Sequence, residues 1–275
     1  MIDLKHCLES LRANTPLVHN ITNYVTVNDC ANILLACGGS PIMSDDKNDV
    51  EDITGICGGL NINIGTLNAA TIESMFLAGK KANELGHPVL LDPVGAGASK
   101  LRSNAANELI KQIKFSVIRG NISEIKALAQ GLSGTKGVDA NEADAVNASN
   151  IDGVIAFAKD FSLATGAVIA ITGATDIVTD GKRVCIISNG HPIMGKITGA
   201  GCMLSAMTCA YVVANQNDVF EAVCTSLIAM GIAGEIAYKR MGSLDGNSSF
   251  RNYLIDAVYN LTSEQLHESA RYELR

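Results

Sequence analysis

Residues suited to phosphate chemistry recur directly after the predicted strands of this chain. Asp92 follows one apolar strand, Arg119 and Glu124 flank the end of the next, and Thr172 follows a third. Arginine binds phosphate oxygens through paired hydrogen bonds, and carboxylates hold Mg²⁺ directly or through its waters. Together these residue types indicate chemistry on a magnesium-bound nucleotide, provided that the fold brings the four side chains to one place.

The segment ITGAGCMLSAM, residues 197–207, puts two glycines at the predicted start of an apolar helix. Backbone N–H groups at a helix start point outward and the helix dipole favours negative charge, so Gly199, Ala200 and Gly201 could hold a phosphoryl group. Cys202 comes next, where the same field would stabilise a thiolate. Taken alone, the segment is more typical of a tight turn into a buried helix with a core cysteine.

Each candidate residue also has a purely structural interpretation. An Asp-Pro pair such as the one at Asp92 is often only a turn, and Asn121 with Glu124 fits a helix cap with a reciprocal acid. Arg119 could form a surface ion pair, and Thr172 could be a simple turn residue. Their common position at the carboxyl edge of one sheet, where open parallel sheets bind ligands, favours the functional interpretation of the set.

Familiar nucleotide and metal motifs do not account for this pattern. Residues 94–100, VGAGASK, carry Lys100 where the dinucleotide fingerprint needs a third glycine. Residues 190–197, GHPIMGKI, carry Ile197 where a Walker A motif needs serine or threonine, and they follow a hairpin rather than a clean strand. The five histidines are scattered, without metal-ligand spacing. Neither glycine motif therefore carries weight.

Composition excludes several classes of function. The 275 residues have a net charge of −7, no basic cluster, 4% aromatic residues and no tryptophan, which argues against nucleic acids and acidic membrane surfaces as partners. The eight cysteines form no C-x-x-C pair and are predicted to be reduced, buried thiols. No apolar run approaches the roughly 20 residues of a spanning helix, and the N-terminus lacks a signal-peptide core, so a cytoplasmic location is predicted.

Strand-like and helix-like segments alternate along the chain. The predicted strands are residues 17–21, 40–44, 60–65, 88–97 (which break into a Pro- and Gly-rich loop), 115–121 and 167–173. A hairpin is predicted over 176–190, a polar surface loop over 131–149, and three closing helices over 199–215, 218–240 and 248–262. Short connections and apolar strands predict one α/β domain, residues 1–275, with a mostly parallel sheet and helices on both faces.

Seven stretches of the chain carry a resemblance to a known family. They are PLVHNITNYVT (16–26), SPIMS (40–44), LNINIGTL (60–67), VLLDPVGAGAS (89–99), VIRGNISEI (117–125), IAITG (169–173) and KITGAGCMLSA (196–206). They follow the family's order with ordinary spacing over nearly the whole chain, and DPVGAGA, IRGNxSE and TGAGC are quite specific in combination. The chain resembles the hydroxyethylthiazole kinase family, a thiamine-salvage branch of the ribokinase-like superfamily.

The resemblance implies a fold, a reaction and a set of site residues. The fold is a ribokinase-like three-layer sandwich, and the reaction transfers the ATP γ-phosphate to the primary alcohol of 4-methyl-5-(2-hydroxyethyl)thiazole. The residues implied for ATP are Arg119, Asn121 and Thr172, and those implied for Mg²⁺ are Asp92 and Glu124. The residues implied for the thiazole pocket are Asn23, Val25, Met43 and Gly199.

The resemblance also implies a homotrimer with active sites between subunits, and it assigns a special place to Cys202. Most sugar kinases of the superfamily have an aspartate base there, so Cys202 is expected either to act as a modest base or simply to make room for the alcohol. Gly199, Ala200 and Gly201 would then hold the transferring phosphoryl group. The alternatives that stay open are a kinase for another small alcohol such as hydroxymethylpyrimidine, a nucleotide-dependent lyase of the same fold, and a non-catalytic nucleotide sensor.

Overall fold

Helices and strands alternate through most of the computed structural model, which describes residues 2–133, 146–147 and 149–275. The strands are β1 (Leu17–Ile21), β2 (Ser40–Met43), β3 (Gly59–Asn63), β4 (Val89–Asp92), β5 (Val117–Asn121), β6 (Val168–Thr172), β7 (Asp176–Thr179), β8 (Val184–Ile187) and β9 (Tyr272–Leu274). The helices are α1 (Leu4–Asn14), α2 (Val27–Cys37), α3 (Val50–Ile56), α4 (Ala69–Glu84), α5 (Lys100–Gln112), α6 (Ile122–Ser133), α7 (Ile151–Thr165), α8 (Ala200–Ala214), α9 (Val219–Arg240), α10 (Asn247–Asn260) and α11 (Ser263–Ser269).

All nine strands of the described chain join one sheet, in the order β2-β1-β3-β4-β5-β6-β7-β8-β9. Neighbours from β2 to β6 are parallel, and the three pairs from β6 to β9 are antiparallel. Asn63 lies opposite Asp92, and Asn121 lies opposite Thr172, so the carboxyl ends of four strands share one edge. The predicted mostly parallel sheet is confirmed, and its edge is where the candidate residues lie.

Helices cover both faces of the sheet and create two apolar cores. Helices α1, α2 and α8 to α11 pack on one face, and α3 to α7 pack on the other. Leu60, Ile62 and Ile64 alternate along and just beyond β3 and are fully buried in the second core. Each contributes about 2 kcal/mol to folding by leaving water. This periodicity of two fixes which side chains of β3 face each layer, and so sends Asn61 and Asn63 to the opposite face.

Helix α9, with the short turn before it, is the most apolar long helix of the described chain. By length and composition, residues 216–240 would suffice to cross a membrane, but 78% of that helix's apolar window is buried inside the protein. Its side chains pack against α8 and α10 in the first core. This is the environment of a core helix.

The C-terminal segment contains two elements that the sequence analysis missed. After α10, the chain forms the short helix α11 and then β9, which pairs antiparallel with β8. Three residues with mostly exposed side chains give no readable periodicity, and the sheet edge supplies the hydrogen bonds that make β9 a strand. The predicted loop 131–149 begins too early, because α6 continues to Ser133; most of its remainder lies outside the described residues.

The cysteines are as predicted for a reduced chain. All eight are free; seven are buried and Cys202 is half-buried. Burial raises the pKa of the deepest thiols; for Cys30 and Cys37 it reaches about 12. These side chains behave as small apolar core residues, which leaves Cys202 as the one thiol that is partly exposed.

Candidate active site

Arg119 connects two neighbouring strands at the carboxyl edge of the sheet. It lies on β5 between Asp92 of β4 and Thr172 of β6. Its Nη1 is 3.6 Å from Asp92 Oδ2, and its Nη2 donates a hydrogen bond to Thr172 Oγ1 at 2.6 Å. The Thr172 hydroxyl in turn donates to the carbonyl of Gly120 at 3.4 Å. The guanidinium is therefore held in one orientation by its neighbours, as a phosphate-binding arginine requires.

Asp92 is a fully buried carboxylate. Its Oδ2 accepts hydrogen bonds from Asn63 Nδ2 and Ser205 Oγ, each at 2.8 Å, while its Oδ1 has no hydrogen-bond partner within the described part of the chain. Burial raises the pKa of Asp92 to about 6, against the lowering effect of Arg119, and the Glu124 charge raises it further. The carboxylate therefore carries one buried oxygen whose hydrogen-bonding capacity is not used by any residue described.

Glu124 forms the helix cap that its spacing from Asn121 predicts. The Asn121 N–H donates to Glu124 Oε2 at 2.8 Å, and the Glu124 N–H donates to Asn121 Oδ1 at 2.9 Å. Glu124 Oε1 also accepts from the Gly95 N–H at 2.9 Å, which ties the loop after β4 to the start of α6. The structural interpretation is confirmed, and the cap keeps a second negative charge near Asp92.

The glycine turn brings the start of α8 against Arg119. Gly199 has a φ of +90°, and a Cβ there would lie 2.6 Å from Thr26 Cγ2, so only glycine fits without strain. A Cβ on Gly201 would lie 2.8 Å from Arg119 Nη1. The guanidinium thus packs directly on the first turn of α8, whose backbone N–H groups have no partner within the helix. A cation and a helix N-terminus together favour a bound anion.

Cys202 lies in that first turn and contacts the opposite side of the site. Its Sγ accepts a hydrogen bond from Asn23 Nδ2 at 3.2 Å. Burial, and then the Asp92 carboxylate, raise the pKa of the thiol above its ordinary value. The expectation that the helix start would favour a thiolate is therefore wrong for the free protein, because burial and the like charge of Asp92 both disfavour the ionised thiol.

Two cavities lie at the carboxyl edge of the sheet, and the larger one borders the start of α8. The larger has a volume of about 480 Å³. Residues of its wall include Arg119, Thr172, Asp176, His191, Met194, Ala200, Gly201, Leu204, Leu227 and Met230. The smaller has a volume of about 160 Å³. Residues of its wall include Asn20, Thr22, Tyr24, Val27, Met43, Ser44, Asn63 and Met75.

The residues expected in the thiazole pocket differ in their positions. Met43 lines the smaller cavity, Asn23 is buried beside it, and Gly199 forms the turn above Thr26. Val25 is 57% exposed and does not line this cavity within the described chain. Of these four residues, Met43 alone belongs to the wall of the smaller cavity.

Sequence reasoning missed Asn63 and Ser205, which hold Asp92. Asn61 and Asn63 alternate with apolar residues in a strand whose two faces are both covered, and a buried amide needs partners. That alternation was the available signal for Asn63. Ser205 gave no comparable signal within an apolar helix.

Asp176 and the rejected Walker-like segment also line the larger cavity. The Asp176 carboxylate accepts from the Gly173 N–H at 2.9 Å, and burial raises its pKa to about 7. Residues Pro192–Lys196 form a 3-10 turn rather than the strand, loop and helix of a Walker A motif. The motif was correctly rejected, although its residues lie where a nucleotide could bind.

Comparison with known proteins relates this chain to one group of kinases. A family model described as the hydroxyethylthiazole kinase family matches residues 8–264. The hydroxyethylthiazole kinase of Clostridium acetobutylicum is 63% identical over 270 residues, covering 98% of this chain and 99% of the relative. The solved hydroxyethylthiazole kinase protein from Pyrococcus horikoshii has a TM-score of 0.89 at 34% identity and covers 100% of both chains.

A more distant solved structure extends the likeness of the fold. The pyridoxal kinase from Staphylococcus aureus, in complex with AMP-PCP and pyridoxal, has a TM-score of 0.60 at 15% identity, covering 94% of this chain and 97% of that one. At this identity the likeness concerns the fold alone. The predicted ribokinase-like sandwich is confirmed.

Proposed function

The chain belongs to the hydroxyethylthiazole kinase family, and we propose from this that it transfers the γ-phosphate of ATP to the primary alcohol of 4-methyl-5-(2-hydroxyethyl)thiazole, a step of thiamine salvage. One observation carries the proposal beyond the family likeness. Arg119, held by Asp92 and Thr172, packs on the first turn of α8 and lines the larger cavity. Phosphoryl transfer depends mainly on such positioning and charge stabilisation.

The larger cavity is the proposed ATP site. Its volume of about 480 Å³ falls in the usual range for small-molecule pockets, and its wall combines apolar side chains with a few oriented polar groups. Arg119 and Thr172 would contact the phosphates, and Asn121 lies at the adjoining strand end. The cationic guanidinium then faces the charge that develops on the transferring group.

Asp92 and Glu124 are the residues proposed to hold Mg²⁺. The buried Oδ1 of Asp92, which has no hydrogen-bond partner among the residues described, fits a metal ion or its bound water. No group of three or more His, Cys, Asp or Glu side chains in the described ranges could bind a metal by itself, which suits an ion that shares its ligands with phosphates and water. When bound there, Mg²⁺ would neutralise part of the negative charge of the ATP phosphates.

The metal assignment is tested by titrating Mg²⁺ in the kinase reaction. Asp92→Asn and Glu124→Gln should each raise the Mg²⁺ concentration needed for half-maximal turnover, since each removes one negative charge from the site. An unchanged titration in both variants would remove these two residues from the metal site.

The smaller cavity is the proposed thiazole site, and Asn23, Met43, Val25 and Gly199 are the residues proposed to contact the thiazole. Met43 offers an apolar wall that suits a thiazole ring better than a sugar. Tyr24 lines this cavity and is 78% exposed, and its neighbour in sequence, Val25, is 57% exposed. A second subunit would cover them, which supports a homotrimer with active sites between subunits; size-exclusion chromatography with light scattering tests the trimer.

Cys202, together with Gly199, Ala200 and Gly201, is proposed to act at the phosphoryl group and the alcohol. The raised pKa keeps the thiol protonated at neutral pH, so a base role would grow with pH and contribute a modest ~10²-fold. Turnover of the wild type should then rise toward alkaline pH, and Cys202→Ala should lose that rise. Full turnover with an unchanged pH profile would leave Cys202 only the role of making room.

The reaction itself is tested by measuring ADP release with a panel of alcohols. Thiazole-dependent ADP formation is the expected result. Preference for hydroxymethylpyrimidine would identify a different kinase. ADP formation that depends on none of the alcohols would favour a lyase. Nucleotide binding without any ADP formation would indicate a sensor. Each of the last three outcomes contradicts the proposal.

We further propose that residues 1–275 work as one kinase domain in the cytoplasm. The described strands form one sheet, and both cavities lie at its carboxyl edge, which supports a single working unit. The proposed donor, ATP, is a cytoplasmic metabolite. Fractionation of cells that express the tagged protein tests the location.

A further inference from the structure

Asn63 links the Asp92 side of the site to the side formed by Asn23 and Cys202. Its side chain is 1% exposed, at the carboxyl end of β3. Its Nδ2 donates to Asp92 Oδ2 at 2.8 Å, and its Oδ1 accepts from Asn23 Nδ2 at 3.1 Å. The two ends of one short amide therefore touch both halves of the site.

The hydrogen bonds around Asn63 have one consistent direction. A carboxylate oxygen of Asp92 accepts, so Asn63 must turn its NH₂ group toward it and its oxygen toward Asn23. The Asn23 nitrogen then donates both to this oxygen and to Cys202 Sγ, while the Asn23 oxygen accepts from the Thr26 hydroxyl at 3.0 Å. Donor direction is thus fixed along the whole chain of contacts that joins the carboxylate to the sulfur.

We propose that Asn63 is a positioning residue for phosphoryl transfer, which fixes the Asp92 carboxylate relative to the Asn23–Cys202 pair. This inference rests on the proposed kinase function. With Asn63 in place, Asp92 Oδ2 is occupied and Oδ1 is the oxygen left for a ligand. Without it, the carboxylate can rotate and the Asn23 amide loses the partner that holds its nitrogen toward the sulfur.

The predicted consequence falls on turnover rather than on ATP binding. Asn63 lines the smaller cavity and is not part of the wall of the larger one, where Arg119 and Thr172 lie. A displacement of about 1 Å among reacting groups can lower a rate by ~10²-fold without loss of binding. A residue that only supported the fold would instead lower stability, with no preference for kcat.

Asn61 provides a matched control on the same strand. It lies two residues before Asn63, so both side chains point to the same face of β3, and it is 0% exposed. Its Nδ2 donates to Asn20 Oδ1 at 3.0 Å rather than to Asp92. Replacing Asn61 by serine removes a buried amide with that one hydrogen bond, whereas replacing Asn63 also removes the contacts of its Oδ1 with Asn23 Nδ2 and with the Gly65 N–H. Only the Asn63 replacement releases Asp92.

The experiment compares steady-state kinetics of the wild type, Asn61→Ser, Asn63→Ser and Asn63→Asp. Kinetics are measured with the thiazole alcohol, ATP and varied Mg²⁺, beside thermal unfolding of each variant. Asn63→Ser should lower kcat about 10- to 100-fold relative to Asn61→Ser, with the KM for ATP within about threefold, and should require more Mg²⁺. Asn63→Asp keeps the shape and the oxygen toward Asn23, but it places a second carboxylate against Asp92, so kcat should fall at least as far.

Two results would overturn the inference, and they are distinguishable. Equal kcat values for Asn61→Ser and Asn63→Ser, with an active wild type, would overturn the positioning role alone. Absence of alcohol-dependent ADP release in the wild type would overturn the proposed function and the inference that rests on it. If Asn63→Ser does not fold, the isosteric Asn63→Asp variant decides: wild-type turnover there would also refute the role.

Discussion

Replacing Asp92 by asparagine should stabilise the folded protein at pH 8 while it removes most of the turnover. The pKa of Asp92 rises from 3.8 to about 6 on folding, chiefly because the carboxylate is buried. The folded state therefore binds more protons than the unfolded state between about pH 4 and pH 6, and stability falls as pH rises through that window. Above pH 6, the carboxylate is ionised in the folded state, and burying its charge lowers the free energy of unfolding by the full amount.

The size of that cost follows from the pKa change. A shift of about 2 units corresponds to about 3 kcal/mol, since each unit is 1.36 kcal/mol. In the variant, the amide oxygen can still accept from Asn63 and Ser205, but the new NH₂ group would take the place of Oδ1, which has no partner in the described part of the protein. An unsatisfied buried donor costs roughly 1–2 kcal/mol, which leaves a net gain of about 1–2 kcal/mol.

Thermal unfolding of the wild type and Asp92→Asn at pH 8 and pH 5 tests this reasoning. The variant should melt about 3–6 °C higher at pH 8, and the difference should shrink at pH 5, where the wild-type carboxyl is mostly protonated. Asp52→Asn, which removes an exposed carboxylate on α3, should change stability by less than about 0.5 kcal/mol at either pH. A wild type that is as stable as Asp92→Asn at pH 8 would refute the assigned cost of burial.

Three further predictions concern the glycine turn and the larger cavity. Gly199→Ala should lower the free energy of unfolding by about 2 kcal/mol or more, because φ is +90° and the new Cβ meets Thr26. An unchanged midpoint of urea denaturation would contradict this. Thr172→Val removes the 2.6 Å hydrogen bond from Arg119, so the KM for ATP should rise about tenfold while the KM for the alcohol stays unchanged. Steady-state kinetics with each substrate varied in turn measures both values. The pKa of Asp176 is about 7, so its carboxylate ionises between pH 6 and 8 beside the proposed triphosphate. Because like charges repel, the KM for ATP should rise several-fold over that range, and it should rise less in Asp176→Asn. Identical pH profiles of the KM in the wild type and the variant would exclude the effect.

The alternation of strands and helices could be predicted from the sequence because each signal is local. Strand β1 was predicted at Leu17–Ile21 with the bounds that the structure has, and the antiparallel β7–β8 hairpin was also predicted. The Asn121–Glu124 cap followed from spacing alone, since both partners lie within one helical turn. By contrast, β9 forms because it pairs with the edge of β8, which is far away in the sequence, so no local pattern predicts it.

The sequence by itself determined the residue types of the site and their place after successive strands. Parallel strands carry their carboxyl ends to one edge, so a local pattern sufficed to group Asp92, Arg119 and Thr172. Only the tertiary structure decided the charge states, because burial and neighbouring charges set them: it raised the pKa of the Cys202 thiol where the helix start alone favoured a thiolate. It also decided which buried amide holds Asp92, since the direction of a hydrogen bond depends on partners that are distant in the chain.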